Sequence, residues 1–225
     1  MKKILNISLV ISIILFGLTG CSLKQKEYTL EDKITEEIDY MEKELVGIVN
    51  NFTLGKYTED GENNILDDTR KLEKASNRIM VDLAAENIDN NEITKLSDGI
   101  NKMITLGENN MENEYLVELN NIFSLLPNFE AKVSSDSDEI FECRLKYFTI
   151  SSYIAYVVGD IDLAKSQVTN LENEFLEKQK SAQYVEEHKY NMNKIYLLIE
   201  ELKKGIEQDS SALVKEKYLL LIDEI

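Results

Sequence analysis

The stretch ITEEIDYMEKELVGIVNNF, residues 34–52, decides the fold. Its apolar residues are Ile34, Ile38, Met41, Leu45, Ile48 and Phe52, so the steps alternate between four and three. That spacing puts all six on one stripe of an α-helix and is the seam of a coiled-coil-like packing face. A strand would need alternation every second residue, and there is none. The helix is predicted to start near Thr29, an N-cap with Asp32 three positions on in the capping-box arrangement. Residues 53–64, TLGKYTEDGENN, break it with two glycines and a polar run.

The same period continues along the chain. A second helix is predicted over about 65–86, with Leu72, Ile79 and Leu83 facing in. After the turn NIDNNE (87–92), in which Asp89 and Glu92 fit a capping box, a third covers about 92–106 and Gly107 ends it. A fourth runs from about 110 to 126, until Pro127 stops it. Residues 128–139, NFEAKVSSDSDE, read as irregular and hold a possible sub-boundary at 128–137. The fifth helix, 137–158, carries CRLKYFTISSYIAYVV and is apolar on most sides, as a central helix must be. Gly159-Asp160 is a tight corner, Gly closing one helix and Asp capping the next. A sixth helix carries Ile161, Ala164, Val168, Leu171 and Phe175. A seventh carries Val185, His188, Met192, Ile195, Ile199 and Leu202, with Gly205 at its end, and a short last one spans about 210–223. The fold class expected is all-α: an antiparallel bundle of seven or eight amphipathic helices over residues 30–225. One proline and nine glycines in 225 residues agree with few turns and long helices.

Before the bundle lies a different kind of segment. Met1-Lys2-Lys3 is a positive start, and residues 4–18, ILNISLVISIILFGL, are an apolar run. A membrane-spanning helix wants about 20 such residues, so a run this short with a small-residue exit fits a signal peptide. Leu18-Thr19-Gly20-Cys21 resembles the lipobox of bacterial lipoproteins. The resemblance implies that the Cys21 thiol receives a diacylglyceryl group and that the chain is cut between Gly20 and Cys21. Residues 1–20 are then the signal peptide, and 21–29 the lipidated cysteine and its tether. Two or more acyl chains on Cys21 suffice for a stable anchor where one does not. Lys24 and Lys26 in the tether either meet anionic headgroups or are simply solvated. The whole chain is similar to helical lipoproteins of Gram-positive, clostridia-like bacteria, a group with no activity to transfer.

Charge narrows the partners. The net charge of −17 becomes −19 once Lys2 and Lys3 are removed. Phosphate backbones repel such a domain, which excludes nucleic acid as a partner. With Cys21 acylated, Cys143 stands alone, and no internal disulfide forms. It sits in an apolar run and reads as a small buried hydrophobe.

Catalytic signatures are missing: no glycine-rich phosphate loop, serine elbow, CxxC pair or HExxH occurs. A di-iron bundle needs Glu-x-x-His twice, and this chain has a single histidine, His188, with Val at 185. On its apolar seam His188 is read as a packing position. Asp136, Asp138 and Glu139 offer hard oxygens of the kind calcium takes, as does the turn 59–62, but neither has the spacing of a calcium loop. The first group is read as a helix cap and the second as a solvated turn. Tyr147, Phe148, Tyr153 and Tyr156 are read as core rather than a binding groove. FTISSYIAYVVGDIDLAKSQV, 148–168, resembles a tetratricopeptide helix pair, yet Leu171 stands where a small residue belongs, no proline follows and no second copy exists. It is read as a plain helical hairpin. The expectation is therefore a lipid-anchored module on the outer face of the cell membrane, not an enzyme and without a cofactor or metal. It is held to the membrane through Cys21 and binds a protein partner. The alternatives are a solute-binding lipoprotein of a transporter, which usually carries strands, and a wall-active hydrolase, which could work with two carboxylates.

Overall fold

The computed structural model describes residues 28–57, 64–180 and 182–225, the side chains of 182–190 excepted. The lipobox, its cleavage point, most of the tether and the turn 59–62 lie outside the described residues, as do the side chains of Val185 and His188. Among the described residues every regular element is a helix, and there are nine. They are α1 Leu30–Thr53, α2 Ile65–Ala85, α3 Asn90–Glu108, α4 Glu112–Phe123, α5 Leu126–Val133, α6 Ser137–Val157, α7 Ile161–Gln179, α8 Ala182–Glu207 and α9 Ser211–Glu224. None of these is long and apolar enough to cross a membrane.

Short links make each helix pack on the next. In addition α1 packs on α4, α5 and α6, while α6 packs on α4, α5, α7 and α9. These two are the hubs, and they bring the first and last of the described helices onto one hydrophobic cluster. In α1 the seam residues Ile34, Ile38, Met41, Leu45 and Ile48 are at most 1 % exposed. In α6 burial extends round most of the girth, from Phe141 and Leu145 to Ser151, Tyr153 and Ala155. Polar atoms in this core are mostly satisfied: the Tyr218 hydroxyl donates to Asn50 Oδ1 at 2.8 Å, and Thr69 Oγ1 shares a 2.7 Å hydrogen bond with the Tyr115 hydroxyl.

The caps follow the sequence at several ends. Thr29 Oγ1 accepts from the Asp32 N–H at 3.1 Å, and Asp32 Oδ2 accepts from the Thr29 N–H at 2.9 Å, so the box is complete. Gly159, at φ 86°, closes α6, and Asp160 caps α7. Asp89 caps α3 through the Asn91 N–H, but Glu92 does not complete a box: its carboxylate meets Lys132 at 2.6 Å on α5.

Three stop signals have a different meaning from the one expected. Gly107 and Gly205 lie inside α3 and α8, where a Cβ would come within 3.0 Å of Leu66 Cδ2 and 3.2 Å of the Val214 backbone nitrogen. They are glycine so that neighbouring elements can approach. The left-handed turns fall instead on Asn110 and Asp209, at φ 53° and 49°. Pro127 sits in the first turn of α5, where its missing N–H costs nothing, and so begins a helix. Residues 128–133, expected to be irregular, are that helix.

Candidate functional site

Helix α5 presents Leu126, Phe129 and Glu130 on its buried face. The steps of three and four that bury the two apolar residues carry Glu130 inward with them. Its side chain is 2 % exposed. Oε1 accepts a long 3.5 Å hydrogen bond from Thr35 Oγ1 of α1, and Oε2 is buried with no hydrogen-bond partner. Leaving a buried carboxyl oxygen unpaired costs about 1–3 kcal/mol, and more when it is charged. Such a group changes its protonation instead. Burial, followed by the negative charges of Asp39, Glu139 and Glu42, pushes the Glu130 carboxyl up to about 8.

Glu130 is one of the residues lining a cleft of about 600 Å³. Helix α1 contributes Glu36, Asp39, Tyr40, Glu42, Lys43 and Val46; α6 contributes Glu139, Glu142, Cys143 and Lys146; Ile222 of α9 closes one end. Six carboxylates, Glu130 included, face two lysines here. One lysine is committed. Lys146 Nζ donates to Glu42 Oε2 at 2.7 Å, with the Glu42 side chain 5 % exposed and that of Lys146 25 %. Burial, the largest single influence, would lower the Lys146 ammonium, but the charge and hydrogen bond of Glu42 together with the Glu142 charge outweigh it, and the net shift is upward. Asp39 is also raised, chiefly by burial and then by Glu42. The cleft is an open, net negative groove whose apolar lining residues include Tyr40, Val46 and Ile222.

Other sequence-selected residues have structural work. Cys143 is 4 % exposed, and burial, then the Glu42 charge, raises its thiol far above the ordinary range. It packs as a small hydrophobe in the cleft wall. Asp136 Oδ1 accepts from the Asp138 N–H at 2.7 Å and caps α6; Glu139 Oε2 accepts from Ser134 Oγ at 2.8 Å; Asp138 pairs with Lys178. Among the described residues no group of three or more His, Cys, Asp or Glu is arranged to hold a metal ion. The α6 aromatics are packing residues: Tyr153 stacks on Tyr218 with centroids 4.1 Å apart, Tyr147 and Phe148 sit against the core, and the Tyr156 hydroxyl donates to Asp209 at 3.0 Å.

Glu130 and Glu42 were not singled out from the sequence, although each carries a signal. Glu42 lies four residues after Ile38 and three before Leu45, on the seam's own face. Glu130 would stand out only once 126–133 is taken as a helix. Comparison with known protein families, with curated proteins and with solved structures finds no match.

Proposed function

We propose that this chain is an exported, lipid-anchored helical module that binds a protein partner at the outer face of the membrane, and that the cleft between α1, α5 and α6 is where it binds. The anchor rests on Leu18-Thr19-Gly20-Cys21 and the apolar run before it. The binding role rests on one observation: Glu130 lines the cleft while one of its carboxyl oxygens is buried without a partner. Folding gains nothing from that arrangement, and a partner that supplies the missing donor would offset its cost. A non-catalytic role is supported by the state of the neighbours. Glu42 is tied to Lys146, and the Cys143 thiol is held protonated, so neither is a ready nucleophile.

The test is affinity capture from membranes with the full chain, comparing wild type, Glu130→Gln, Asp39→Asn and a control, Glu112→Gln, an exposed residue of α4 that does not line the cleft. Wild type and control should retain the same partner and the two cleft variants should lose it. Equal capture by all four would remove the cleft from the reading.

A further inference from the structure

An acidic cleft by itself says only that the surface is negative. Here a second feature points to what fills it. Glu130 is 2 % exposed, its Oε1 is engaged by Thr35, and its Oε2 has no partner. Oε2 is therefore the oxygen whose acceptor capacity is wholly unused, while Oε1 already carries one long bond. A guanidinium recognises carboxylates through a planar fork that uses both oxygens. An ammonium is a point charge with three donors at tetrahedral angles, and it suits one buried oxygen flanked by separate carboxylates. Asp39 and Glu139 are the two whose charges act most strongly on Glu130. The apolar lining residues Tyr40, Val46 and Ile222 offer surface against which a methylene stem can lie, as lysine stems commonly do.

From this geometry we infer that the cleft receives the side-chain ammonium of a lysine on the partner protein, seated on Glu130 Oε2 with its stem along Tyr40, Val46 and Ile222. This rests on the cleft being the binding site. It adds the chemical class of the group bound and an exchange of charge. The arriving ammonium takes the place of the proton on the Glu130 carboxyl, and that proton leaves to solvent. Binding at neutral pH therefore releases a proton and tightens as the pH rises through about 8, where Glu130 ionises unaided.

The groups that face Glu130 are consistent with one incoming cation. From α1 come Asp39, Glu36 and Glu42, with Lys43 exposed at the mouth; from α6 come Glu139, Glu142, Lys146 and the Cys143 thiol. Lys146 is held by Glu42. On α5 itself, Lys132 is drawn away by Glu92 of α3. α9 contributes Ile222 alone to the wall.

Isothermal titration of the full chain in detergent tests the inference with the peptide acetyl-Gly-Lys-Gly-amide. Its norleucine and arginine counterparts and calcium chloride serve as comparisons. Each is run at pH 7 in two buffers of different ionisation enthalpy, so that proton release is read directly. Binding of the lysine peptide with proton release is expected, with no binding by the norleucine peptide. Glu130→Gln, shown to be folded by circular dichroism, should weaken lysine binding by about tenfold or more and abolish the release. Equal binding of norleucine, tighter binding of arginine, Glu130-dependent heat with calcium, or silence from the lysine peptide would each overturn the inference. If the lysine peptide is silent while Glu130→Gln still abolishes partner capture, the cleft remains the binding site and only the ammonium is wrong. If capture also survives the substitution, both readings fall.

Discussion

Replacing Glu130 with Gln should stabilise the protein, and the gain should depend on pH. The Glu130 carboxyl rests at about 8 in the folded chain against an ordinary value of 4.5. Below 4.5 it is protonated both folded and unfolded and contributes no pH dependence. Between 4.5 and about 8 the folded chain keeps a proton that the unfolded chain has released. Stability therefore falls as the pH rises through this window and levels off above it. Each pH unit in the window corresponds to about 1.4 kcal/mol, which bounds the whole loss at about 5 kcal/mol. The cleft is open to solvent, and water screening of the carboxylate reduces this to about 2–3 kcal/mol. Glutamine has nearly the same shape and cannot ionise. Urea unfolding of wild type and Glu130→Gln, followed by circular dichroism, should thus give nearly equal stabilities at pH 4.5 and a gap of about 2–3 kcal/mol in favour of the variant at pH 9. For a chain of this size that is a rise of about 5–10 °C in Tm. Asp39 is raised in the same sense, but it is present in both proteins and its main contribution cancels. A gap unchanged between the two pH values, or a variant less stable at pH 9, would refute the burial of an uncompensated carboxyl at this position.

Three further outcomes are expected. Lys146→Met strands the Glu42 carboxylate, 5 % exposed, and should cost about 2–3 kcal/mol in urea unfolding, less than a fully dry pair because Lys146 keeps some solvent. Gly47→Ala and Gly205→Ala should have opposite signs. A Cβ at 47 meets nothing within 4 Å, so the helix gains about 0.5–1 kcal/mol, whereas one at 205 meets the Val214 backbone and should cost about 1–2 kcal/mol; thermal melts decide both. Cys21→Ala should abolish incorporation of a fatty-acid analogue and leave the chain with its signal peptide attached or shed into the medium, and equal labelling of the two proteins would end the lipoprotein reading.

Local chemistry was readable wherever a signal and its response lie in the same turn. Thr29 with Asp32, Asp136 before α6, and Gly159-Asp160 between α6 and α7 all act where the sequence puts them. The three-four seam of α1 likewise becomes its buried face. What was not readable depends on residues far along the chain. Gly107 and Gly205 look like helix ends, and only the approach of Leu66 and Val214 shows that they are contact points. Pro127 carries two opposite signals, stop for the preceding helix and first turn for the next; the chain uses it for the second. Taking it as a stop hid α5, and with α5 the inward turn of Glu130. The cleft was therefore out of reach, since its three walls come from residues about 36–46, 130 and 139–146.

The place of α1 as a hub has a consequence for the order of folding. Most helices here meet their neighbours in sequence, and such local hairpins close quickly. The other faces of α1 must wait. Glu42 finds Lys146 across 104 residues, and Asn50 finds Tyr218 across 168. As the chain is synthesised from its N-terminus, α1 is the first of the described helices to be made and among the last to be enclosed. Until α4, α5, α6 and α9 arrive, α2 covers only part of its apolar circumference, and the remainder is a sticky surface during the slowest phase of assembly. The charges that crowd α1 on either side of its seam, Glu36, Glu37 and Glu44, keep that waiting surface dispersed in water and narrow the strip through which one nascent chain could adhere to another.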